Sequence, residues 1–198
     1  SLEFERLINA GGPSGGNLIR PSDMQVPKIV AFIQCVGSRS ERGGHPYCSS
    51  VCCMNTIKDS LLIKEHWPDT QIYVFYMDIR AFGKGFEDLY KRAKREGVIF
   101  TRGLPADIVE DRKTHNLWLI GEDTLQKEVY KVNVGMVILS IGIEPQKDSE
   151  VTQRLFTLSK TSDGFFMEAH PKLRPVDTPT GGIFLAGCAE GPKDIKDS

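Results

Sequence analysis

Residues 28–34, Lys-Ile-Val-Ala-Phe-Ile-Gln, form a short apolar run rich in β-branched side chains directly after Pro27. A run of this length and composition predicts a buried strand. The next stretch of chain completes a β-α-β unit. A polar loop over 35–51 contains Gly37, Gly43, Gly44 and Pro46. A helix is expected from about Cys52 to His66, with Met54, Ile57 and Leu61 on one face. Ser49 or Ser50 can cap its start, and Pro68 follows its end. Residues 71–76 (QIYVFY) read as the second strand.

The pattern repeats. Phe86, Leu89, Tyr90 and Ala93 mark an amphipathic helix, and Gly97 suits its C′ position. A short strand at 98–100 comes next. Residues 106–110, 116–120 and 128–132 read as an antiparallel meander. Residues 135–141 (GMVILSI) are another buried strand, leading into a turn at Gly142-Ile143-Glu144-Pro145. Residues 146–182 are polar and loop-rich, and 182–186 (GIFLA) suggests a last buried strand. Residues 1–27, broken by Gly11, Gly12, Gly15, Gly16, Pro13 and Pro21, read as a linker or the tail of a preceding domain. The fold class is α/β with a small meander.

The formal net charge is −1, so nothing electrostatic points to nucleic acid or an anionic membrane as partner. The apolar runs are strand-sized, and no direct membrane insertion is expected. The start, Ser-Leu-Glu-Phe-Glu-Arg, has neither a signal peptide's apolar stretch nor an initiating Met, and reads as a boundary inside a longer protein.

Four of the five cysteines, Cys35, Cys48, Cys52 and Cys53, fall within residues 35–53, and Cys188 stands alone. A secreted disulfide scaffold would spread its cysteines through a small, loop-rich chain. A local group in a chain with a good core suggests metal or redox chemistry in a reducing compartment, the cytoplasm. Four thiolates meet the need of a cubane iron–sulfur cluster or a structural zinc. Cys52 and Cys53 fall in the first turn of the expected helix, where exposed N–H groups and the macrodipole favour negative charge. Arg39, Arg42 and His45 lie in the same loop and can offset that charge. The spacing matches neither the common ferredoxin run nor a zinc ribbon, so cluster, zinc and redox-thiol readings all remain open on spacing alone. A nicotinamide-binding unit would carry G-x-G-x-x-G after the first strand. Here the turn reads Gln34-Cys35-Val36-Gly37-Ser38-Arg39, so the cysteine loop occupies the place where a pyrophosphate would lie.

Ile33-Gln34-Cys35-Val36-Gly37-Ser38-Arg39 and Tyr47-Cys48-Ser49-Ser50-Val51-Cys52-Cys53-Met54 resemble the A subunit of heterodisulfide reductase and related subunits of the quinone-interacting membrane-bound oxidoreductase. Residues 75–85 (FYMDIRAFGKG) and 182–195 (GIFLAGCAEGPKDI) resemble two further blocks of that family. The resemblance implies a thioredoxin-reductase-type, Rossmann-like domain inserted into an FAD domain. Residues 28–141 would be the NAD(P)-binding-like insertion, with 1–27 and 142–198 belonging to an incomplete FAD domain. It implies a [4Fe–4S] cluster on Cys35, Cys48, Cys52 and Cys53 that exchanges electrons with FAD. Its partners would be other subunits of a redox complex and ferredoxin; in the methanogen enzymes the flavin splits electron pairs between a heterodisulfide branch and ferredoxin. Gly187, Cys188, Lys193 and Asp194 would lie at the flavin. Disulfide-reductase flavoproteins more often carry Gly-Asp where this chain has Gly187-Cys188, so the Asp's hydrogen bond is not carried over. The chain also lacks the family's FAD glycine fingerprint and its ferredoxin-type cysteine runs, which leaves this stretch inactive by itself. A zinc-stabilised scaffold and a thiol–disulfide oxidoreductase are the competing readings.

Lys84, between two glycines ahead of a helix, reads as a flexible loop rather than an anion site. Asp78 stands where a ribose-binding acid would be, but carries no weight without the glycine fingerprint. His66, His115 and His170 are scattered, and Trp67 and Trp118 read as packing residues.

Overall fold

The computed structural model describes all 198 residues. They group into two compact units, one made of Ser1–Val36 with Cys52–Ile141, the other of Gly37–Val51 with Gly142–Ser198. Two features differ from the boundaries read in the sequence. Residues 1–27 are not a bare linker: they carry a short helix α1 (Leu2–Ile8), and Phe4 and Leu18 are buried in the first unit's core. The cysteine loop over 37–51 groups with 142–198 rather than with the strand before it.

The first unit is built around strand β1 (Ile29–Val36). It pairs in parallel with β2 (Gln71–Tyr76) on one edge and with β7 (Met136–Ile141) on the other. β3 (Ile99–Arg102) pairs with β2, giving the order β3-β2-β1-β7. Helix α2 (Cys52–His66) connects β1 to β2, and α3 (Phe86–Arg95) connects β2 to β3. Strands β4 (Asp107–Glu110), β5 (Leu117–Asp123) and β6 (Glu128–Val134) form the expected antiparallel meander.

Period-2 alternation along β1 explains the layering. Val30 and Phe32 face one side and pack with Ile72, Val74, Ile138 and the helix residues Ile57 and Leu61. Ala31 and Ile33 face the other, where Phe75, Leu119 and Val134 complete a second core against the meander. Both faces of β1 are therefore dry, which is why the run reads as continuous apolar sequence rather than as alternation. Gly97 ends α3 as expected. Its φ of +85° places it in the left-handed region, and Gly97 N–H donates to Lys94 O while Val98 N–H donates to Ala93 O. Those two bonds are the paired closures of a Schellman motif.

In the second unit, α4 (Ser149–Phe156) forms where the sequence suggested loop. The run 182–186, read as a buried strand, is not one. It makes a single bridge, Asp177 to Phe184, flanked by Thr178 N–H to Ile183 O and Leu185 N–H to Val176 O. Leu185 is buried, but Phe184 is 67% exposed. A two-chain ribbon of this length lacks the further strands that would make it a sheet.

One core group is out of character. Asp59, on α2, is fully buried. Lys58 Nζ lies 3.3 Å from its Oδ1 without hydrogen-bond geometry, and Asn55 Nδ2 donates weakly to Oδ2 at 3.5 Å. Burial pushes the carboxyl up to about 6, against the pull of Lys58. The raised value means the folded state holds the proton more tightly than the unfolded chain. Stability therefore falls as pH rises from about 4 to about 6 and is level above that. Asp59→Asn should raise neutral-pH stability by about 1–3 kcal/mol and flatten this slope, read by urea unfolding at pH 4, 5, 6 and 7. Gly97→Ala should cost about 1–2 kcal/mol by forcing a Cβ into the left-handed region, read in the same assay.

Candidate functional site

Cys35 sits at the carboxyl end of β1. The β1–β7 register shows why its backbone is unusual: Ile33 pairs with Leu139, but Val36 pairs with Ile141, so β1 carries one extra residue across Gln34–Cys35. Cys35 has φ +59°, the left-handed region that a residue with a side chain seldom enters. A bulge of this kind re-aims side chains at the end of a strand. In an open α/β sheet ligands lie outside the carboxyl ends of the strands, and Cys35 stands at such an end.

Cys52 and Cys53 open α2, as expected. Cys52 Sγ donates to Ile141 O at 3.6 Å, at the end of β7, and Cys53 Sγ donates to Asp78 O at 3.7 Å, just after β2. No acidic residue occupies the first turn of α2. No carboxylate of that turn opposes negative charge on the thiols, and the helix start favours it.

Behind these cysteines lies a polar triad that sequence reading missed. Gln34, Thr56 and Ser140 are buried side chains on β1, α2 and β7. Gln34 Nε2 donates to Thr56 Oγ1 at 2.6 Å and to Ser140 Oγ at 3.1 Å, and the two hydroxyls are 2.8 Å apart. Gln34 Oε1 is buried without a hydrogen-bond partner. The one available signal was a Gln ending an otherwise apolar strand.

In the second unit, Cys48 lies on a loop organised by its own backbone. His45 N–H donates to Gly37 O, Ser40 N–H to His45 O and Arg39 N–H to Tyr47 O, each at 3.0 Å. Ser50 N–H donates to Cys48 Sγ at 3.4 Å. Neither serine expected to cap α2 is shown doing so: buried Ser49 Oγ instead accepts from Ile143 N–H at 2.8 Å and meets Ser38 Oγ at 2.7 Å. Tyr47 OH donates to Ile143 O at 3.0 Å, its ring stacks on His45 and meets Phe165 edge-on, and His45 Nε2 lies 3.3 Å from Glu144. Gly142 is needed here, because a Cβ would come within 2.5 Å of Ser38 Oγ.

No disulfide joins any of the five cysteines. The structure gathers no three His, Cys, Asp or Glu side chains into a group that could hold a metal ion. Cys35, Cys52 and Cys53 belong to the first unit and Cys48 to the second.

Of the residues expected at a flavin, Gly187 (φ +59°) and Cys188 lie in a short 3-10 turn. Cys188 lines a cleft of about 300 Å³ with Glu144, Gln146, Ser149, Phe165 and Phe166. Lys193 and Asp194 do not line it. Lys193 Nζ is paired with Glu190 at 2.6 Å, and Asp194 Oδ1 accepts Asp197 N–H at 2.9 Å. No helix in the structure is long and apolar enough to cross a membrane.

Solved thioredoxin reductases share the fold. The Lactococcus lactis enzyme aligns with TM-score 0.52 and 16% identity over 85% of this chain and 46% of its own. The T. acidophilum enzyme gives 0.50 and 15% over 84% and 45%. No protein-family model matches. Sequence relatives are much closer. The second iron-sulfur A-subunit of the CoB–CoM heterodisulfide reductase of Methanopyrus kandleri is 55% identical over 100% of this chain and 30% of its own length. The A-subunit of the H2:CoB-CoM heterodisulfide,ferredoxin reductase of Methanothermobacter thermautotrophicus is 54% identical over the same shares. The A-subunit of the ferredoxin/F420H2-dependent CoB-CoM heterodisulfide reductase of Methanosarcina acetivorans is 45% identical over 99% of this chain and 25% of its own. With identity of this order sustained along the whole of its length, the chain belongs to the family of heterodisulfide reductase A-subunits and spans about 30% of the length of the first of these relatives.

Proposed function

We propose that this chain is the part of a flavin- and iron–sulfur-dependent oxidoreductase that carries a [4Fe–4S] cluster on Cys35, Cys48, Cys52 and Cys53. The observation that carries the reading is the donor set. Four thiols without disulfides lie within residues 35–53, in a chain whose relatives include proteins named iron-sulfur subunits. The surroundings fit a thiolate-bound anionic centre. Ser50 N–H points at Cys48 Sγ, and hydrogen bonds of that type tune ligand basicity and potential. Cys52 and Cys53 stand at a helix start free of acidic side chains. Gathering of the thiols is coupled to metal binding, as in other sites whose ligands order around the ion.

The bound cluster would supply one-electron transfer, with FAD of the whole protein as the other redox group. In this reading residues 28–141 supply the nucleotide-binding-like scaffold, with Phe4 and Leu18 of the segment before it packed into its core, and 142–198 supply part of an FAD domain. Cys188 and Gly187 would border the flavin at the 300 Å³ cleft, which is near the lower limit for a ligand pocket and holds only part of a dinucleotide. Lys193 and Asp194 would shape the turn beside it. Other redox subunits, and ferredoxin as named for two of the relatives, are the partners in this reading. We place the protein in the cytoplasm, where thiols stay reduced.

Oxygen-free reconstitution should give about four iron and four sulfide per chain, with a broad absorption near 400 nm, and Cys48→Ser/Cys52→Ser should abolish both. A folded, colourless protein that takes up only zinc would overturn the proposal.

A further inference from the structure

Three buried polar side chains sit where three elements that carry or contact cysteines converge. Gln34 immediately precedes Cys35 on β1. Thr56 lies one turn beyond Cys52 and Cys53 on α2, and Ser140 precedes Ile141, whose carbonyl accepts from Cys52 Sγ. All three are essentially inaccessible to water. Around them the core is apolar: Ile33, Ile57 and Ile138 are neighbours in sequence or in the packed layers. An apolar substitute of the same shape would serve packing as well, and would not leave Gln34 Oε1 buried without a partner. What a hydrogen-bonded triad adds is direction: each bond fixes an angle and an offset that apolar contact leaves loose.

The offset it fixes is the unusual one. The extra residue of β1 falls at Gln34–Cys35, opposite Leu139–Ile141 of β7. Gln34 Nε2 reaches Ser140 across that bulge and Thr56 on the helix above it. Without such a restraint, the end of β1 beyond Ile33 could pair with β7 with no extra residue, which would erase the bulge and send Cys35 to the other face of the sheet.

We infer that Gln34, Thr56 and Ser140 are positioning residues that lock the β1 bulge and so aim Cys35 relative to Cys52 and Cys53. The inference rests on the reading that these cysteines hold a cluster. It assigns the triad no contact with the cluster itself; its action is through the backbone of Cys35 and the first turn of α2.

The test uses the intact protein, reconstituted with iron and sulfide without oxygen. Thr56→Val keeps shape and removes a hydroxyl; Thr56→Ser restores it; Ser140→Ala breaks the triad from another element, should Thr56→Val fold poorly. Iron loss to a chelator should be at least tenfold faster in Thr56→Val and Ser140→Ala. The electron paramagnetic resonance spectrum of the reduced cluster should change in both. Thr56→Ser should return both readouts to the parent's values, and circular dichroism of the metal-free proteins should be the same throughout. Parent-like iron retention and spectra in Thr56→Val and Ser140→Ala would overturn the positioning role while leaving the cluster intact. Equal damage in Thr56→Ser would overturn it as well, because the hydroxyl would then not be the operative group. A parent protein that takes up no iron would instead overturn the cluster reading on which the role depends.

Discussion

Burial of β1 on both faces and pairing on both of its edges is the constraint that shapes the first unit. A strand with a helix layer on one side and a second sheet on the other has no freedom in register. Val30 and Phe32 must meet α2, while Ala31 and Ile33 must meet the meander. Its two neighbours must be parallel, so each has to be reached by a crossover. Helix α2 makes the first crossover, and that places its amino end beside the carboxyl end of β1. Cys35, Cys52 and Cys53 are brought to one end of the sheet by this geometry, before any ligand is considered.

The same constraint explains what the sequence revealed. β1, α2, β2 and the meander were legible because their apolar spacing records tertiary burial directly. Gln71–Tyr76 and Cys52–His66 appear with the bounds that spacing implied. The run at 182–186 has equal hydrophobicity but no set of partners, and hydrophobicity alone cannot report whether a ladder exists. Helix α1 was hidden by the glycines and prolines that come after it, though Phe4 anchors it edge-on against Phe32. The bulge at Gln34–Cys35 was illegible because register is a relation between two strands that lie about a hundred residues apart. Polar burial along α2 was hidden for a related reason. Thr56, Asp59 and Ser60 are buried along with Ile57, Leu61 and Ile63, so the helix is enclosed on more than one side and its polar positions look solvated in sequence.

For the candidate site, the thiols themselves were the legible part, since four cysteines in one short stretch need no structure to be noticed. Their supports were not. Ser49, which looked like a helix cap, spends its hydroxyl on Ile143 and Ser38, and Tyr47 binds the same residue 143 through its carbonyl. Cys188 was noticed for its family setting, and its place on a cleft depends on Phe165 and Phe166, which carry no motif. Lys193 and Asp194 satisfy local partners instead.

The two units are each assembled from separated stretches of chain, and this sets an order of events during synthesis. Ile143 lies 94 residues downstream of Ser49. At typical elongation rates it emerges about 5–20 s later. Until then Ser49 has Ser38, and Tyr47 has His45 and Arg39, but neither has Ile143, and β1 has no β7 beside it. The loop that carries Cys48 therefore gains its bonds to Ile143 only after the meander and β7 have been made. The cluster proposed for the four thiols would be a late arrival, inserted into a chain whose first unit already has all its strands.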